Sequence, residues 1–310
     1  MAQIGFVGLG RMGGGMVARI RRDSDHEVVA FDPDPRAVAR AADHGALGAA
    51  SLRELVAALH APRIVWVMAP AGAPTEQTIA ELGDMLAAGD IVVDGGNSRW
   101  TDDAPRAERL AQHGIHYVDV GVSGGVWGLQ AGYCMMVGGA DEAVARLAPF
   151  LDVLAPPPDD EHGPGWRHVG PVGAGHYVKM IHNGIEYGLM QAYAEGFALL
   201  DAADFPLDKA QIARLWMRGS VVRSWLLELA ALAFEQEGGD LADLEPVVAE
   251  SGEGRWTVEE AVTRRVPAPV ITAALYERYG SQGRGAFAAR LNAALRAQFG
   301  GHAVKRPPDD

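Results

Sequence analysis

The sequence predicts an α/β fold in its first half, built on a doubly wound parallel sheet, and an all-α second half. Two observations predict the α/β half: a glycine-rich turn joins an apolar run to a helical pattern near the start, and further apolar runs then alternate with helical segments. The all-α half is predicted because only helical periodicity is found from residue 174 onward. A chain of 310 residues is long enough for two domains, which we expect at residues 1–172 and 173–310.

The first turn carries a dinucleotide-binding pattern. An apolar run over residues 3–7 predicts a buried strand, and three glycines with the spacing G-x-G-x-x-G lead from it into a helix predicted over residues 11–21. This spacing allows a tight turn, a close approach of backbone amides to a pyrophosphate, and close packing of helix on strand, as in a Rossmann-type domain. We assign these residues of the turn to the cofactor site: Gly8, Gly10, Arg11, Met12 and Gly13.

A second predicted strand, residues 27–31, ends at Asp32. An acid at this place accepts hydrogen bonds from the adenosine ribose hydroxyls and repels a 2′-phosphate. The first basic residue after it is Arg36, so the sequence favours NAD over NADP as the cofactor. The alternative for Asp32 is that it caps the helix that begins near Arg36.

Strands and helices continue to alternate beyond this point. Ser51 and Glu54 form a capping-box pattern that predicts the start of a short helix. The further predicted strands are residues 63–68, 91–94, 115–120 and 133–137, and the further predicted helices are residues 75–87, 102–113 and 141–150. Residues 155–165, rich in proline and acid, are expected to form a surface excursion before the domain boundary.

Three loops at strand ends hold candidate binding residues, because ligands of such sheets bind beyond the carboxyl ends of the strands. Met68 follows one strand, Asn97 lies in the loop DGGNS (residues 94–98) after the next, and the triplet of Ser123, Gly124 and Gly125 follows the last of the run. Glycine amides with a serine hydroxyl can hold a carboxylate. A plain turn or bulge is the alternative for both glycine-rich loops.

The longest predicted helix, residues 174–201, carries an unusual face near its start. Helical spacing from Lys179 reaches His182, Asn183, Glu186 and Tyr187 in turn. A base, an acid, an imidazole, an amide and a phenol on one face predict catalysis or binding, whereas the alternative is a buried polar network that only pins two helices. Further helices are predicted over residues 207–218, 221–234, 270–279 and 285–299, with a capping box in the sequence TVEE at residues 257–260.

Composition excludes several classes of function. The net charge of −13 argues against a nucleic-acid or anionic-membrane surface, although a local basic cluster could still bind a small anion. No apolar run has the length of a membrane span. The single cysteine, Cys134, excludes an internal disulfide framework and a cysteine cluster for a metal. The start of the chain lacks the basic segment of a secretory signal, so we expect a cytoplasmic protein.

The sequence GAGHYVKMIHNGIEY at residues 173–187, together with DGGNS and the serine–glycine–glycine triplet, resembles the decarboxylating 6-phosphogluconate dehydrogenase family. The resemblance runs from Ile4 to His302 and is to a short form with an unduplicated helical domain. It implies oxidation of 6-phosphogluconate by NAD, with loss of carbon dioxide to give ribulose 5-phosphate and without a metal ion. The family's usual role is in the pentose phosphate pathway, and an NAD-linked gluconate utilization route fits Asp32 equally well.

The resemblance also implies catalytic roles. Lys179, as a neutral amine, takes the proton of the C3 hydroxyl as hydride leaves C3, and in its protonated form it then polarises the ketone while carbon dioxide departs. Glu186, as a protonated carboxyl group, delivers a proton to C1 of the enediol. Acid and base are thus divided between two groups.

The remaining implied residues bind the substrate. The family pattern assigns the sugar acid to Asn97, Ser123, Gly124, Gly125, His182, Asn183 and Tyr187. Arg255 lies where the family usually has lysine, and Arg223 resembles a phosphate-binding arginine. Arg296 and His302 match a C-terminal pair that reaches into the partner subunit's site, which implies a homodimer or a higher oligomer. NADP-dependent members carry Asn-Arg-Thr where this chain has Asp32, Pro33 and Asp34, which favours NAD again.

Two alternatives remain open. The chain could be another β-hydroxyacid dehydrogenase, such as one for 3-hydroxyisobutyrate, although that wider superfamily generally lacks counterparts of His182 and Glu186. It could also be a non-catalytic NAD-binding sensor, for which Lys179 and Glu186 would be unnecessary.

Overall fold

The computed structural model describes residues 2–159, 161 and 163–300. Its contacts divide the chain into two compact units, Met1–His182 and Asn183–Asp310. This division lies inside a long helix that begins at Ala174. The domain boundary expected after residue 172 stays a prediction.

The first unit is built on an eight-stranded sheet, which confirms the predicted α/β class. The strands are β1 (Gln3–Val7), β2 (Glu27–Phe31), β3 (Leu47–Gly48), β4 (Ile64–Val67), β5 (Ile91–Asp94), β6 (His116–Ser123), β7 (Cys134–Gly138) and β8 (Trp166–Gly170). Their order in the sheet is β3-β2-β1-β4-β5-β6-β7-β8, and the strands from β3 through β6 are mutually parallel. The helices between them are α1 (Arg11–Asp23), α2 (Pro35–Asp43), α3 (Leu52–Ala58), α4 (Ala73–Met85), α5 (Asp103–Ala111), α6 (Gly128–Ala131) and α7 (Asp141–Leu154).

Two features of the sheet differ from the prediction. Strand β7 runs antiparallel to β6, because the connection after Ser123 is too short for the crossover that a parallel neighbour requires. Strands β3 and β8 were not predicted. The first has only two residues, and the second has a partly exposed edge pattern beside the proline-rich stretch, so neither carries a strong apolar signal.

Alternate residues along the strands fill two apolar cores, one on each face of the sheet. In β4, Ile64 and Trp66 belong to one core while Val65 and Val67 belong to the other. Helices cover both faces: α1 and α7 contribute to the first core, and α3 and α4 to the second. Burial on both faces explains why these strands are continuous apolar runs in the sequence.

The regular secondary structure of the second unit consists of helices in its described residues, as predicted. Helix α8 (Ala174–Asp201) enters it from the first unit with the predicted bounds. The helices that follow are α9 (Lys209–Trp216), α10 (Trp225–Glu237), α11 (Glu253–Arg264), α12 (Pro269–Ser281) and α13 (Ala286–Gly300). One cluster packs α8, α9 and α10 around Phe197, and another packs Tyr187 of α8 against Ala274 and Leu275 of α12.

The capping box predicted at residues 257–260 is wrong. Helix α11 begins one turn earlier, after Gly252 with its φ of +95°. Thr257 therefore lies inside the helix, where its hydroxyl donates to the carbonyl of Glu253 at 2.9 Å. A threonine hydroxyl can cap a helix or donate to the carbonyl four residues earlier within one, so the short pattern was ambiguous.

Candidate functional site

The glycine turn after β1 has the shape that a dinucleotide requires. Gly8 has a φ of +91°, and a Cβ atom there would lie 2.5 Å from the carbonyl oxygen of Met68. A Cβ atom on Gly13 would lie 2.0 Å from the carbonyl oxygen of Gly8. Around Gly10, by contrast, a Cβ atom would meet open space. The turn is thus closed where helix packs on strand and open at the N-terminus of α1, where a pyrophosphate would fit.

Asp32 lies half-buried at the end of β2, beside this turn. Its Oδ2 accepts a hydrogen bond from the amide of Leu9 at 2.7 Å, and its Oδ1 accepts one from the amide of Asp34 at 2.8 Å. The alternative that Asp32 caps α2 is wrong, since Asp34 is the cap and accepts from the amide of Arg36. The structure therefore holds a carboxylate against the glycine turn.

Two further predicted cofactor residues lie around the same sheet edge, and a third is exposed. The amide of Met68 donates to the carbonyl of Val7 at 2.7 Å, which joins the end of β4 to the end of β1. Met12 is partly buried and packs against the core, and Arg11 is exposed. Strands β1 and β4 are neighbours in the sheet, and the strand order reverses between them. Dinucleotides usually bind at such a switch point.

The loop after β5 is organised by Asp94, whose side chain is fully buried. Asp94 accepts hydrogen bonds from the amide of Gly96 at 3.0 Å, the hydroxyl of Ser98 at 2.7 Å and the guanidinium of Arg106 at 3.0 Å. These bonds fix the residues on either side of Asn97. The loop is thus a turn built around one carboxylate.

Asn97 and Lys179, 82 residues apart in the sequence, meet in the first unit. The Nζ atom of Lys179 donates a hydrogen bond to Oδ1 of Asn97. Lys179 is 7% exposed, and it can lie so close to the sheet because residue 121 of β6 is a glycine. A Cβ atom on Gly121 would lie 2.4 Å from the Cβ atom of Lys179. Sequence reasoning missed Gly121, although it lies directly before the glycine-rich end of β6.

The triplet of Ser123, Gly124 and Gly125 forms the turn at the end of β6. Gly124 and Gly125 have φ values of +125° and +54°, which explains why glycine occupies both positions. Ser123 and Gly124 are half-buried, so the turn has a surface that solvent can reach.

Predicted residues on α8 continue into the second unit. His182, the last residue of the first unit, is half-buried, as are Asn183 and Glu186. Tyr187 is buried: its hydroxyl accepts from the amide of Ser251 at 3.3 Å, and a Cβ atom on Gly254 would lie 2.3 Å from its ring.

A cation that the sequence did not single out lies over Tyr187. The Cζ atom of Arg278 in α12 is 3.6 Å from the centre of the ring, a cation–π contact. Its Nη1 donates to the carbonyl of Ala249 at 2.8 Å. No local motif surrounds Arg278, and only the packing of α12 on α8 identifies it.

The other predicted basic residues differ in their surroundings. Arg255 pairs with Glu250 at 3.4 Å and Glu259 at 3.1 Å, and although its partial burial opposes protonation, these carboxylates raise its pKa. Arg223 and Arg296 are exposed. His302 lies outside the described residues.

A buried polar network lies beneath the start of α8. His176 pairs through Nδ1 with the Asp103 carboxylate at 2.9 Å, and the hydroxyl of Tyr117 donates to Asp103 at 2.8 Å. Burial alone would lower the pKa of His176, but Asp103, with Asp94 and Asp119 near it, outweighs burial and raises that pKa to about 9. Burial raises the pKa of Asp103 to about 6. The pair is therefore ionic near neutral pH.

Stability should fall as the pH rises from 6.5, the ordinary pKa of histidine, towards about 9. In this window the folded protein keeps the His176 proton while the unfolded chain loses it. The contribution of His176 to the free energy of unfolding is therefore complete below pH 6.5 and falls as the pH rises to about 9, by up to about 1.4 kcal/mol per pH unit. Urea unfolding at pH 7, 8 and 9 measures this slope in wild type and in His176→Asn. Equal slopes in the two proteins would contradict the assignment of the charge to His176.

The ligand atoms of Asp94, Asp103 and His176 lie within 4.8 Å of one another, a separation that a metal ion could bridge. Arg106 already neutralises Asp94 here, and Asp103 is bonded to His176 and Tyr117. The donors thus belong to a hydrogen-bonded network and do not form an open set of cation ligands. Within the part of the chain that the structure describes, no helix combines the length and apolarity needed to cross a membrane.

Comparison with known proteins links both halves of the chain to one group of enzymes. The family model for the NAD binding domain of 6-phosphogluconate dehydrogenase matches residues 3–162, and the model for the C-terminal domain of the same enzyme matches residues 175–298. A relative from Haloferax volcanii, an NAD(+)-dependent, decarboxylating 6-phosphogluconate dehydrogenase, is 47% identical over 99% of this chain and 100% of its own length.

Solved structures extend the comparison. The 6-phosphogluconate dehydrogenase of Plasmodium falciparum, whose cofactor is NADP+, has a TM-score of 0.82 and 26% identity over 99% of this chain and 67% of its own. The 3-hydroxyisobutyrate dehydrogenase of Mycobacterium tuberculosis has a TM-score of 0.72 at 24% identity, over 92% of this chain and 94% of its own, which is a likeness of fold. The chain thus spans the whole of the Haloferax protein and about two thirds of the Plasmodium protein.

Proposed function

This chain belongs to the 6-phosphogluconate dehydrogenase family, and we propose that it oxidises and decarboxylates 6-phosphogluconate to ribulose 5-phosphate and carbon dioxide with NAD as the oxidant. The observation that carries the proposal is the contact of Lys179 with Asn97 at the sheet edge that also holds the glycine turn. A buried amine beside a cofactor-binding edge is what abstraction of a hydroxyl proton requires.

The cofactor, when bound, supplies the acceptor for the hydride that leaves C3 of the substrate. The glycine turn would hold its pyrophosphate, and Asp32 would hold its adenosine ribose. Met68 and Asn97 would border the nicotinamide side of the site.

Lys179 and Glu186 divide the proton transfers in this proposal. As a neutral amine, Lys179 can donate one N–H to Oδ1 of Asn97 and still direct its lone pair at the C3 hydroxyl. After it has taken that proton, the ammonium group can stabilise the ketone oxygen while the C1–C2 bond breaks and carbon dioxide leaves. Glu186 lies two helical turns further along α8 and would deliver a proton to the former C2 of the substrate, which becomes C1 of ribulose 5-phosphate.

The remaining predicted residues would hold the sugar acid. On the first unit these are Asn97, Ser123, Gly124, Gly125 and His182. On the second unit they are Asn183, Tyr187, Arg255, Arg223, Arg296 and His302. We add Arg278 as a cation for the anionic substrate, because its guanidinium is anchored over Tyr187 and keeps further N–H groups. The two carboxylates on Arg255 weaken its attraction for an anion, so Arg278 is the stronger candidate.

The assay that tests the proposal follows absorbance of the reduced nicotinamide, with 6-phosphogluconate and either NAD or NADP, while carbon dioxide is trapped. We expect reduction with NAD and release of equal amounts of carbon dioxide. Reduction with NADP alone would retain the reaction and contradict the role of Asp32. If neither cofactor is reduced, 6-phosphogluconate is not the substrate. A panel of other 3-hydroxy acids, including 3-hydroxyisobutyrate, would then be assayed.

Replacing Asp32 by asparagine should shift the cofactor preference towards NADP. Asparagine keeps an oxygen for the amide of Leu9 but removes the charge that repels a 2′-phosphate. The ratio of kcat/KM for NAD to that for NADP should fall by at least about tenfold, or about 1.4 kcal/mol of discrimination. Asp43→Asn, a change at the exposed last residue of α2, is the matched control and should leave the ratio unchanged. An unchanged ratio in Asp32→Asn would contradict the proposed ribose contact.

We further propose a homodimer or higher oligomer in the cytoplasm. Large apolar side chains are exposed on the second unit, among them Leu199 at 75% and Phe287 at 70%, and such surface is typical of an assembly face. In this proposal Arg296 and His302 complete the site of the partner subunit. The free, exposed Cys134 is compatible with a reducing compartment.

A further inference from the structure

One face of strand β6 contacts the start of helix α8 at successive positions. Tyr117, Asp119 and Gly121 alternate along the strand and therefore point to the same face. The hydroxyl of Tyr117 bonds Asp103, the partner of His176 in the first turn of α8. Gly121 makes room for Lys179. All of these residues lie in the first unit.

Asp119 supplies the N-terminal cap of α8 from outside the helix. Its Oδ1 accepts from the amide of Gly173 at 2.7 Å, and its Oδ2 accepts from the amide of His176 at 2.9 Å. A cap residue normally precedes its own helix and satisfies one amide, whereas here a buried carboxylate from a strand satisfies two. Its negative charge also lies at the positive end of a helix of 28 residues.

The helix has little freedom to move against this strand. A Cβ atom on Gly175 would lie 2.5 Å from the carbonyl oxygen of Met136 and 2.6 Å from that of Asp119. The backbone of α8 thus touches the backbones of β6 and β7 directly. Because Lys179 lies six residues after Gly173, the position of its amine is determined by where Asp119 holds the helix end.

We propose that Asp119 is a positioning residue for Lys179: by capping α8 from β6, it sets the position of the lysine amine against Asn97. Asp119 touches neither substrate nor cofactor in this proposal, and it acts through the helix. The inference rests on the proposed function, because it assigns Asp119 a part in the step that Lys179 carries out.

The principal test is Asp119→Asn. Asparagine fills the same space, but one of its two terminal atoms is an amino group that cannot accept a hydrogen bond from a backbone amide. We expect kcat for 6-phosphogluconate to fall by about 10-fold to 100-fold, since a misplacement of about 1 Å costs on that order, while KM changes by less than about threefold. A folded Asp119→Asn protein with wild-type kcat would overturn the proposal.

Asp90→Asn is the matched control. Asp90 is also a buried carboxylate that accepts from two backbone amides, those of Arg63 at 2.6 Å and Ala87 at 2.9 Å, but it lies at the amino end of β5, away from Asn97. We expect it to reduce thermal stability and to leave kcat unchanged. An equal loss of kcat in Asp90→Asn and Asp119→Asn would show that the loss comes from general destabilisation of the fold, and it would overturn the proposal.

Gly121→Ala displaces α8 by a steric clash with β6 and not by loss of the cap. It is the second test of the position of Lys179 if Asp119→Asn does not fold. The added Cβ atom would lie 2.4 Å from that of Lys179 and 2.7 Å from the carbonyl oxygen of Gly175, so the helix must move away from β6. We expect the same pattern, a lower kcat with little change in KM. Wild-type kcat in a folded Gly121→Ala protein would show that the lysine position is not critical and would overturn the proposal.

A readout that needs no turnover separates this inference from the proposed function. Lys179 is nearly buried, so an amine-acetylating reagent followed by mass spectrometry should label it slowly in wild type and several-fold faster in Asp119→Asn. Lys209, held by Asp201 in the second unit, is the internal reference. If wild type fails to oxidise 6-phosphogluconate, the proposed function fails while the labelling still tests the position of Lys179. Unchanged labelling in Asp119→Asn would overturn the positioning role.

Discussion

Replacing Lys179 by methionine should lower kcat for 6-phosphogluconate by about 10³-fold to 10⁴-fold, the upper range for removal of a general acid–base group. Methionine has a similar length and fits a site that is 7% exposed, so the fold should persist. It cannot take the C3 hydroxyl proton, and it cannot donate to Oδ1 of Asn97. Stopped assays for ribulose 5-phosphate would measure the loss.

Lys209→Met is the control for this experiment, since Lys209 is a partly buried lysine in an ion pair with Asp201 on the second unit. Its kcat should remain at the wild-type value. Binding of NAD, followed by quenching of tryptophan fluorescence, should be retained in both variants because neither residue lies in the glycine turn. A Lys179→Met protein that binds NAD and still turns over at the wild-type rate would contradict the role of Lys179 as the base.

Replacing Glu186 by glutamine should lower the rate of ribulose 5-phosphate formation by about 10²-fold or more. Glutamine preserves the shape and a hydrogen-bonding side chain but has no proton to deliver to C1. The change separates the decarboxylating reaction from the simple oxidation of a 3-hydroxy acid, which needs no acid at this position. Parallel measurement of reduced nicotinamide, carbon dioxide and ribulose 5-phosphate would identify the step that is affected.

Glu195→Gln is the matched control, because Glu195 lies on the same helix, is exposed and bonds only locally to Gln191 among the contacts described. We expect wild-type rates from it. Full turnover in Glu186→Gln would show that another group supplies the proton to C1.

The local part of this fold could be predicted from the sequence because local physics determines it. The bounds of β1, β2, β5 and α8 agree with the prediction, since a run of apolar residues or an unbroken helical period is sufficient to define each element. The glycine spacing before α1 and the acid after β2 likewise identify a dinucleotide turn within a short stretch of chain. The face from Lys179 to Tyr187 follows from helical spacing alone.

Errors arose where a pattern had two physical solutions. Thr257 could cap a helix or bond backwards within one, and Gly252 decides between them by starting α11 earlier. The capping pattern at Ser51 was correct in part: Ser51 accepts from the amide of Glu54, but the Glu54 carboxylate bonds the amide of Ala50 instead of that of Ser51.

Only the tertiary structure decided which distant groups meet. The sequence by itself determined the α/β class, the dinucleotide turn and the family, because each depends on residues close together in the chain. The contact of Asn97 with Lys179, the cap that Asp119 places on α8 and the position of Arg278 over Tyr187 each join residues more than fifty positions apart. No local pattern encodes such contacts, since they depend on strand order and on how closely glycines allow a helix to approach the sheet.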